Sequence, residues 1–222
     1  MDFMNGFFNI KNEYIEECVK LFNDNLKLLE MNKIPESYND MENILCHSGL
    51  YSLREEYVQK YGFIMVSKDW VFHIANLVKG HKCLEVMGGC GLLSQALYEE
   101  GVDIICTDDL SWENGSKPEW SNHRYLVEDL DAICAIEMYG TNVDYVIMSW
   151  PYMDDTAYRC LMKLREVNPK ASIIYIGEDW GGCTASNDFF ENAEFYEDKR
   201  IEDANKVYAN FPGIHDSIFI LK

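Results

Sequence analysis

Residues 82–97 read KCLEVMGGCGLLSQAL. An apolar run, Cys83 to Met87, gives way to glycine at 88, 89 and 91. Leu92, Leu93, Ala96 and Leu97 then fall at the spacing of one helix face, closed by Gly101. The stretch therefore predicts a strand, a tight turn and a helix. Glycines let a backbone turn sharply and approach a ligand without side-chain clash. A helix beginning there presents unpaired N–H groups to a phosphate or carboxylate. An ordinary β–α turn needs neither three glycines nor Glu85 in the strand end, so the loop reads as ligand-binding.

Working outward, the same alternation continues. Apolar, β-favouring runs at 103–107, 145–148, 172–176 and 217–221 are separated by helical stretches. One of these carries Ala157, Cys160, Leu161 and Leu164 on a single face, with Asp154 and Asp155 at its positive end. Strands alternating with helices predict an α/β fold with a largely parallel, two-faced sheet. Before residue 80 the rhythm is helical only. Ile15, Cys18, Phe22, Leu26 and Leu29 share one face; Leu50, Leu53 and Tyr57 mark a second helix; Trp70, Val71, Ile74, Leu77 and Val78 mark a third, ending near Gly80. The expected organisation is a helical extension over 1–80 and a sheet domain over 81–222.

Ligands on such sheets sit at the carboxyl ends of the strands, so the residues after each strand are the candidates. After the second strand come Asp108 and Asp109, placed to accept from ribose hydroxyls. Asp108 lies 19 positions beyond Gly89, a spacing that also suits a dinucleotide site. Ser94 in place of a third small residue argues against a dinucleotide, as does Glu85, which would sit badly beside a pyrophosphate but well beside an ammonium. A ligand with a ribose and an amino-acid end, S-adenosylmethionine, fits better. If Tyr125 to Val127 is the third strand, Asp129 and Leu130 would meet the adenine; a solvated acid at a helix start is the competing reading.

The fourth strand runs into Ser149, Trp150, Pro151 and Tyr152. The Ser149 hydroxyl and the carbonyl of Trp150 could hold the two hydrogens of an amino group, Pro151 stiffen the turn, and Trp150 or Tyr152 stack on a planar ring. Placement and fixed acceptors would then lower the barrier without a strong base. After the fifth strand, Gly177 to Thr184 carries Glu178, expected near the acceptor, or else forms a surface loop.

These residues, Glu85-x-Met87-Gly88-Gly89-x-Gly91, Asp108 and Ser149-Trp150-Pro151-Tyr152, resemble the cofactor loop, ribose acid and fourth-strand motif of class I S-adenosylmethionine-dependent methyltransferases over about residues 80–222. The fourth motif is similar to the Asn/Asp/Ser-x-Pro-aromatic signature of amino-methyltransferases. The resemblance implies a Rossmann-like, doubly wound, mainly parallel seven-stranded sheet with 217–221 as an inserted antiparallel strand. Two positions depart from the family pattern: Met87 replaces the first glycine of the loop, and Trp150 replaces a proline. The resemblance assigns Glu85, Met87, Gly88, Gly89, Gly91, Asp108, Asp109, Asp129 and Leu130 to the cofactor. It assigns Ser149, Trp150, Pro151, Tyr152 and Glu178 to the acceptor. Arg54 and Tyr61 could reach the cofactor carboxylate, although a surface helix is the simpler reading of that region.

Bulk properties limit the partners. The 222 residues carry 38 acids against 19 bases, a formal charge of −19, with no Lys/Arg cluster. Such a surface repels nucleic acid and anionic membranes, so a small-molecule substrate is expected. A nucleic-acid adenine methyltransferase would need a partner to supply a basic groove. A non-catalytic S-adenosylmethionine-binding protein and an NAD-linked oxidoreductase are further alternatives. Eight cysteines without a Cys-x-x-Cys pair favour reduced, structural thiols over a metal site. With no secretory signal and no window near the roughly 18 apolar residues that span a bilayer, a cytoplasmic protein is expected, and the helices of 10–80 would cap the site or support a homodimer.

Overall fold

A computed structural model describes residues 3–38, 48–114, 120, 122 and 124–222. Six strands form one sheet in the order β3-β2-β1-β4-β5-β6: β1 (Lys82–Val86), β2 (Asp103–Asp108), β3 (Val127–Asp129), β4 (Tyr145–Ser149), β5 (Ser172–Gly177) and β6 (Ser217–Leu221). The first five are parallel and β6 runs antiparallel to β5. All six residues of β5 are buried, as are four of five in β1. Such unbroken burial explains why these strands read as continuous apolar runs: helices cover both faces. The sheet is Rossmann-like and doubly wound. Strand order reverses at β1, flanked by β2 on one side and β4 on the other, which opens a crevice at their carboxyl ends.

The expected seven strands become six. The segment that would be the seventh is reduced to Glu194–Tyr196 along the free edge of β6. Glu194 N donates to Lys222 O (2.9 Å), Lys222 N to Glu194 O (3.1 Å) and Tyr196 N to Ile220 O (3.1 Å), with a single antiparallel bridge from Phe195 to Leu221. The pairing is too short to count as a strand, yet it covers the edge and leaves β6 inserted between it and β5.

One face of the sheet packs α1 (Phe3–Glu30), α2 (Ser48–Lys60), α3 (Lys68–Leu77), α4 (Leu92–Glu99) and α8 (Lys199–Asn205); the other packs α5 (Ala132–Tyr139), α6 (Thr156–Val167) and α7 (Asn187–Asn192). The predicted stripe of α1 is the buried one: Cys18, Phe22, Leu26 and Leu29 all lie inside. Phe22 meets Tyr57 of α2 (6.0 Å between rings), and Tyr57 meets Phe211 (5.6 Å). The extension thus shares one continuous apolar core with the sheet. Tyr57 is fully buried, and its hydroxyl accepts from Val66 N at 3.1 Å, which fixes the chain between α2 and α3. Leu50, expected to share that face, and Cys46 lie outside the residues whose side chains are described.

Among the described residues no two cysteines form a disulfide, and of these thiols Cys134 and Cys183 are the exposed ones. Burial pushes Cys83, Cys90 and Cys160 up to about 12, so they pack as small apolar groups. Among the described residues, no helix is long and apolar enough to cross a membrane, and no three His, Cys, Asp or Glu side chains converge as a metal site.

Candidate active site

The crevice holds a cavity of about 430 Å³, within the range of small-molecule sites. Its floor is the loop after β1. Gly89 (φ +55°) and Gly91 (φ +77°) adopt left-handed backbone, and Gly91 caps α4. A Cβ on Gly91 would lie 2.9 Å from Val127 Cγ2, and one on Gly89 3.1 Å from the Trp120 ring. Conformation and space therefore both favour glycine at these positions, most strongly at Gly91. Met87, where the family pattern has glycine, is also left-handed (φ +57°). The loop keeps the glycine-type turn with a side chain present, at a cost of about 1–2 kcal/mol.

Two carboxylates hold this floor, and they differ in what they can offer a ligand. Glu85, on β1, is 1% exposed. Ser94 Oγ donates to its Oε2, and Cys106 Sγ approaches the same oxygen at 3.6 Å. Burial pushes its carboxyl up to about 7, partly countered by those contacts. It lines the cavity without a cationic partner among the groups that set its ionisation. Asp108, at the end of β2, is largely committed: Oδ2 accepts from Gly89 N (2.8 Å), and Oδ1 from Leu110 N (2.8 Å) and Trp112 Nε1 (2.8 Å). A carboxylate has about four acceptor sites, so one remains. Its first task is to hold the glycine turn and Trp112 together. Its neighbour Asp109 is exposed, lines the cavity, and accepts from Ser111 N at 3.0 Å.

Where Asp129 was expected to meet an adenine, the cavity is lined by other residues. Strand β3 begins at Val127, two residues later than expected, and Asp129 and Leu130 do not line the cavity. Leu130 N instead ties to Asp108 O (3.0 Å). Asp131, Ala132 and Ile133 lie there in their place. Asp131 caps α5, accepting from Ile133 N (3.0 Å) and Cys134 N (3.1 Å).

Ser149, Trp150, Pro151 and Tyr152 all line the cavity. Trp150 is left-handed (φ +50°), with its N–H donating to Ile176 O at 2.8 Å. Its ring stacks on Phe63 (5.2 Å, 11°), and its indole Nε1 donates to the buried Asp216 at 2.8 Å. Tyr208 OH and Asn210 Nδ2 donate to that same carboxylate. Trp150 is thus a fixed wall, whereas Tyr152 is 58% exposed at the rim.

Glu178, expected beside the acceptor, is absent from the cavity lining. Its carboxylate accepts from Cys183 N (2.7 Å) and His215 N (3.1 Å), closing the loop after β5 onto the approach to β6. Burial raises its carboxyl, but these backbone donors outweigh burial and hold it below the usual range. Arg54 also lies outside the cavity, with its guanidinium 5.8 Å from the Phe211 ring. Tyr61 does line it, beside Gly62, Phe63 and Ile64, so the extension forms one wall.

Sequence reasoning missed Trp112, Trp120, Phe63 and Asp216. The first two come from a stretch without periodicity; their signal was only the presence of two tryptophans close to the second strand. Asp216 stood out by nothing but an acid ahead of an apolar run.

No family model matches the sequence, and no curated protein matches it. Among solved structures, the fold is similar to TehB from Haemophilus influenzae (14% identity, TM-score 0.44, covering 76% of this chain and 66% of that one). It is also similar to a TehB-like SAM-dependent methyltransferase from Corynebacterium glutamicum (17%, 0.46, 79% and 97%). A third similar structure is the 1,6-didemethyltoxoflavin-N1-methyltransferase of Burkholderia thailandensis, which holds S-adenosylhomocysteine (12%, 0.41, 69% and 75%). At identities of 12–17% and TM-scores of 0.41–0.46 these likenesses carry no functional weight, and the case for a function rests on this chain's own residues.

Proposed function

We propose that the protein is an S-adenosylmethionine-dependent methyltransferase acting on a nitrogen of a small, amino-bearing molecule. The observation that carries the reading is the pairing of a left-handed glycine turn, braced by Asp108, with the cavity-facing Glu85 carboxylate. The residues fit such a ligand: a Cβ at Gly89 would crowd the Trp120 ring at the cavity, and Glu85 is a buried carboxyl with no cation among the groups that set its ionisation. When bound, the cofactor would supply a methyl group on a positively charged sulfur.

The chain's own residues would divide the work. Glu85 would receive the ammonium of the amino-acid end. Gly89 and Gly91 would let the backbone approach, and the start of α4 would offer N–H groups to the carboxylate. Asp109, with the remaining site on Asp108, would take the ribose hydroxyls. Asp131 to Ile133 would border the adenine, in place of Asp129 and Leu130. Ser149 and the carbonyl of Trp150 would orient the acceptor nitrogen, Pro151 would stiffen the turn, and Tyr152 would cover the rim. Rate would come from alignment within a walled cavity. A small acceptor is supported by the −19 charge, which opposes a nucleic-acid substrate. Incubation with S-adenosylmethionine and extract small molecules tests the activity: S-adenosylhomocysteine should accumulate. Cofactor binding without turnover on any fraction would instead indicate a non-catalytic binder.

A further inference from the structure

Three tryptophans border the cavity: Trp112, Trp120 and Trp150. An indole offers a binding site either its single N–H donor or its π-face. Here every one of those donors is engaged within the protein. Trp112 Nε1 donates to Asp108 Oδ1 (2.8 Å), Trp120 Nε1 to Val58 O (2.8 Å) and Trp150 Nε1 to Asp216 Oδ2 (2.8 Å). What the indoles present to the cavity is therefore aromatic carbon.

Phe63 organises these rings. It lies parallel to Trp150 (5.2 Å, 11°) and nearly perpendicular to Trp120 (5.7 Å, 83°), and Trp120 in turn meets Trp112 at 65° (5.5 Å). Two aromatic walls thus meet at a corner. Around the cavity, the acidic and basic lining residues among those described are Glu85, Asp108, Asp109, Asp131 and Asp154 against Arg159 alone. Carboxylates and π-faces share one preference: both attract positive charge, and both repel anions.

We infer that the acceptor is an organic cation, a protonated alkyl amine held against the aromatic corner of Phe63, Trp120 and Trp150. The inference rests on the methyltransferase reading and narrows its substrate class. Glu85 answers one ammonium, that of the cofactor. Trp112 and Trp120 also pack in the core, but the aromatic carbon that borders the cavity suits a second cation, that of the acceptor. The transfer balances: the ammonium N–H breaks and its proton leaves to water, the freed lone pair forms the N–CH3 bond, and the C–S bond breaks with its pair going to sulfur. The product is the N-methylated ammonium, with one proton released per turnover.

The probe set is choline, its neutral isostere 3,3-dimethylbutan-1-ol and the anion 3,3-dimethylbutanoate. None needs to be a substrate, so the readout is recognition rather than turnover. Binding is followed by tryptophan fluorescence and calorimetry in the presence of S-adenosylhomocysteine, which is itself titrated first. Choline should bind about 3- to 30-fold more tightly than the alcohol, the span expected of cation–π contacts, with the anion weakest. Phe63→Leu should abolish the preference and Phe63→Tyr retain it. Equal binding of choline and the alcohol, or tighter binding of the anion, overturns the inference even where S-adenosylhomocysteine binds. Absence of heat from S-adenosylhomocysteine overturns the methyltransferase reading instead, and a choline preference would then mark an organic-cation binder.

Discussion

Replacing Glu85 with glutamine separates its burial, which the structure shows, from the cation-receiving role proposed for it. The wild-type carboxyl lies at about 7, against 4.5 for the free group. At about 1.4 kcal/mol per unit, ionising it inside the folded protein costs about 3 kcal/mol. The sign follows from the direction of the shift. A carboxyl whose folded value exceeds its unfolded value stabilises the fold most below pH 4.5, loses that contribution between pH 4.5 and 7, and is flat above. Glutamine carries no charge, and its amide oxygen can still accept from Ser94 Oγ. Glu85→Gln should therefore match the wild type in urea unfolding at pH 4.5 and exceed it by up to about 3 kcal/mol at pH 8.5, or about 6–12 °C in melting temperature. Ligand binding should move the other way. Wild-type affinity for S-adenosylhomocysteine should rise as pH climbs from 5 to 7 and the carboxyl ionises, whereas the variant should bind weakly at every pH. A stability difference that does not change between pH 4.5 and 8.5 would refute the buried-charge argument. A variant that binds as tightly as the wild type would remove Glu85 from the cofactor site.

Further outcomes follow from the same contacts. Asp108→Ala strands the donors of Gly89, Leu110 and Trp112 and should cost about 3 kcal/mol in chemical unfolding. Asp109→Ala should change stability by no more than about 0.5 kcal/mol yet weaken nucleoside binding about tenfold, a contrast that calorimetry on both variants reads directly. Glu178→Ala should destabilise by about 2 kcal/mol with cofactor binding intact; because this carboxyl is held low, the wild-type contribution is present above pH 4.5 and fades as pH falls, so the two proteins should converge in acid unfolding. Among the described thiols, Cys134 and Cys183 alone should react with a disulfide reagent in the native state, with Cys83, Cys90 and Cys160 following only on unfolding, as peptide mapping would show.

How much of this was legible depended on how locally each feature is encoded. Strands β1, β2, β4, β5 and β6 appear within a residue or two of their apolar runs; in β1 and β5 burial on both faces leaves an unbroken signal. Strand β3 has three residues, of which only Val127 is buried; no periodicity can place so short an element, and the acid lining the cavity there is Asp131 and not Asp129. The seventh strand failed for a similar reason, since Glu194–Tyr196 pairs through backbone groups that any sequence carries. The glycine turn was legible because φ near +55° to +77° restricts the residue type. Side-chain roles set by distant partners were not. Glu178 reads as a free acid in a loop until His215, 37 positions away, takes its oxygen. Trp150 reads as a stacking residue in the sequence, but the Asp216 carboxylate that fixes its indole N–H lies 66 positions on.

The central claim is that one cavity, floored by Gly88 and Gly89 and charged by Glu85, accepts a sulfonium nucleoside. Isothermal titration of the purified chain with S-adenosylmethionine and S-adenosylhomocysteine at pH 7.5 tests it most directly. The account predicts one saturable site for each, with proton release on binding and loss of both heats in Glu85→Gln. Flat titrations with both compounds, or heats unchanged in that variant, would contradict it.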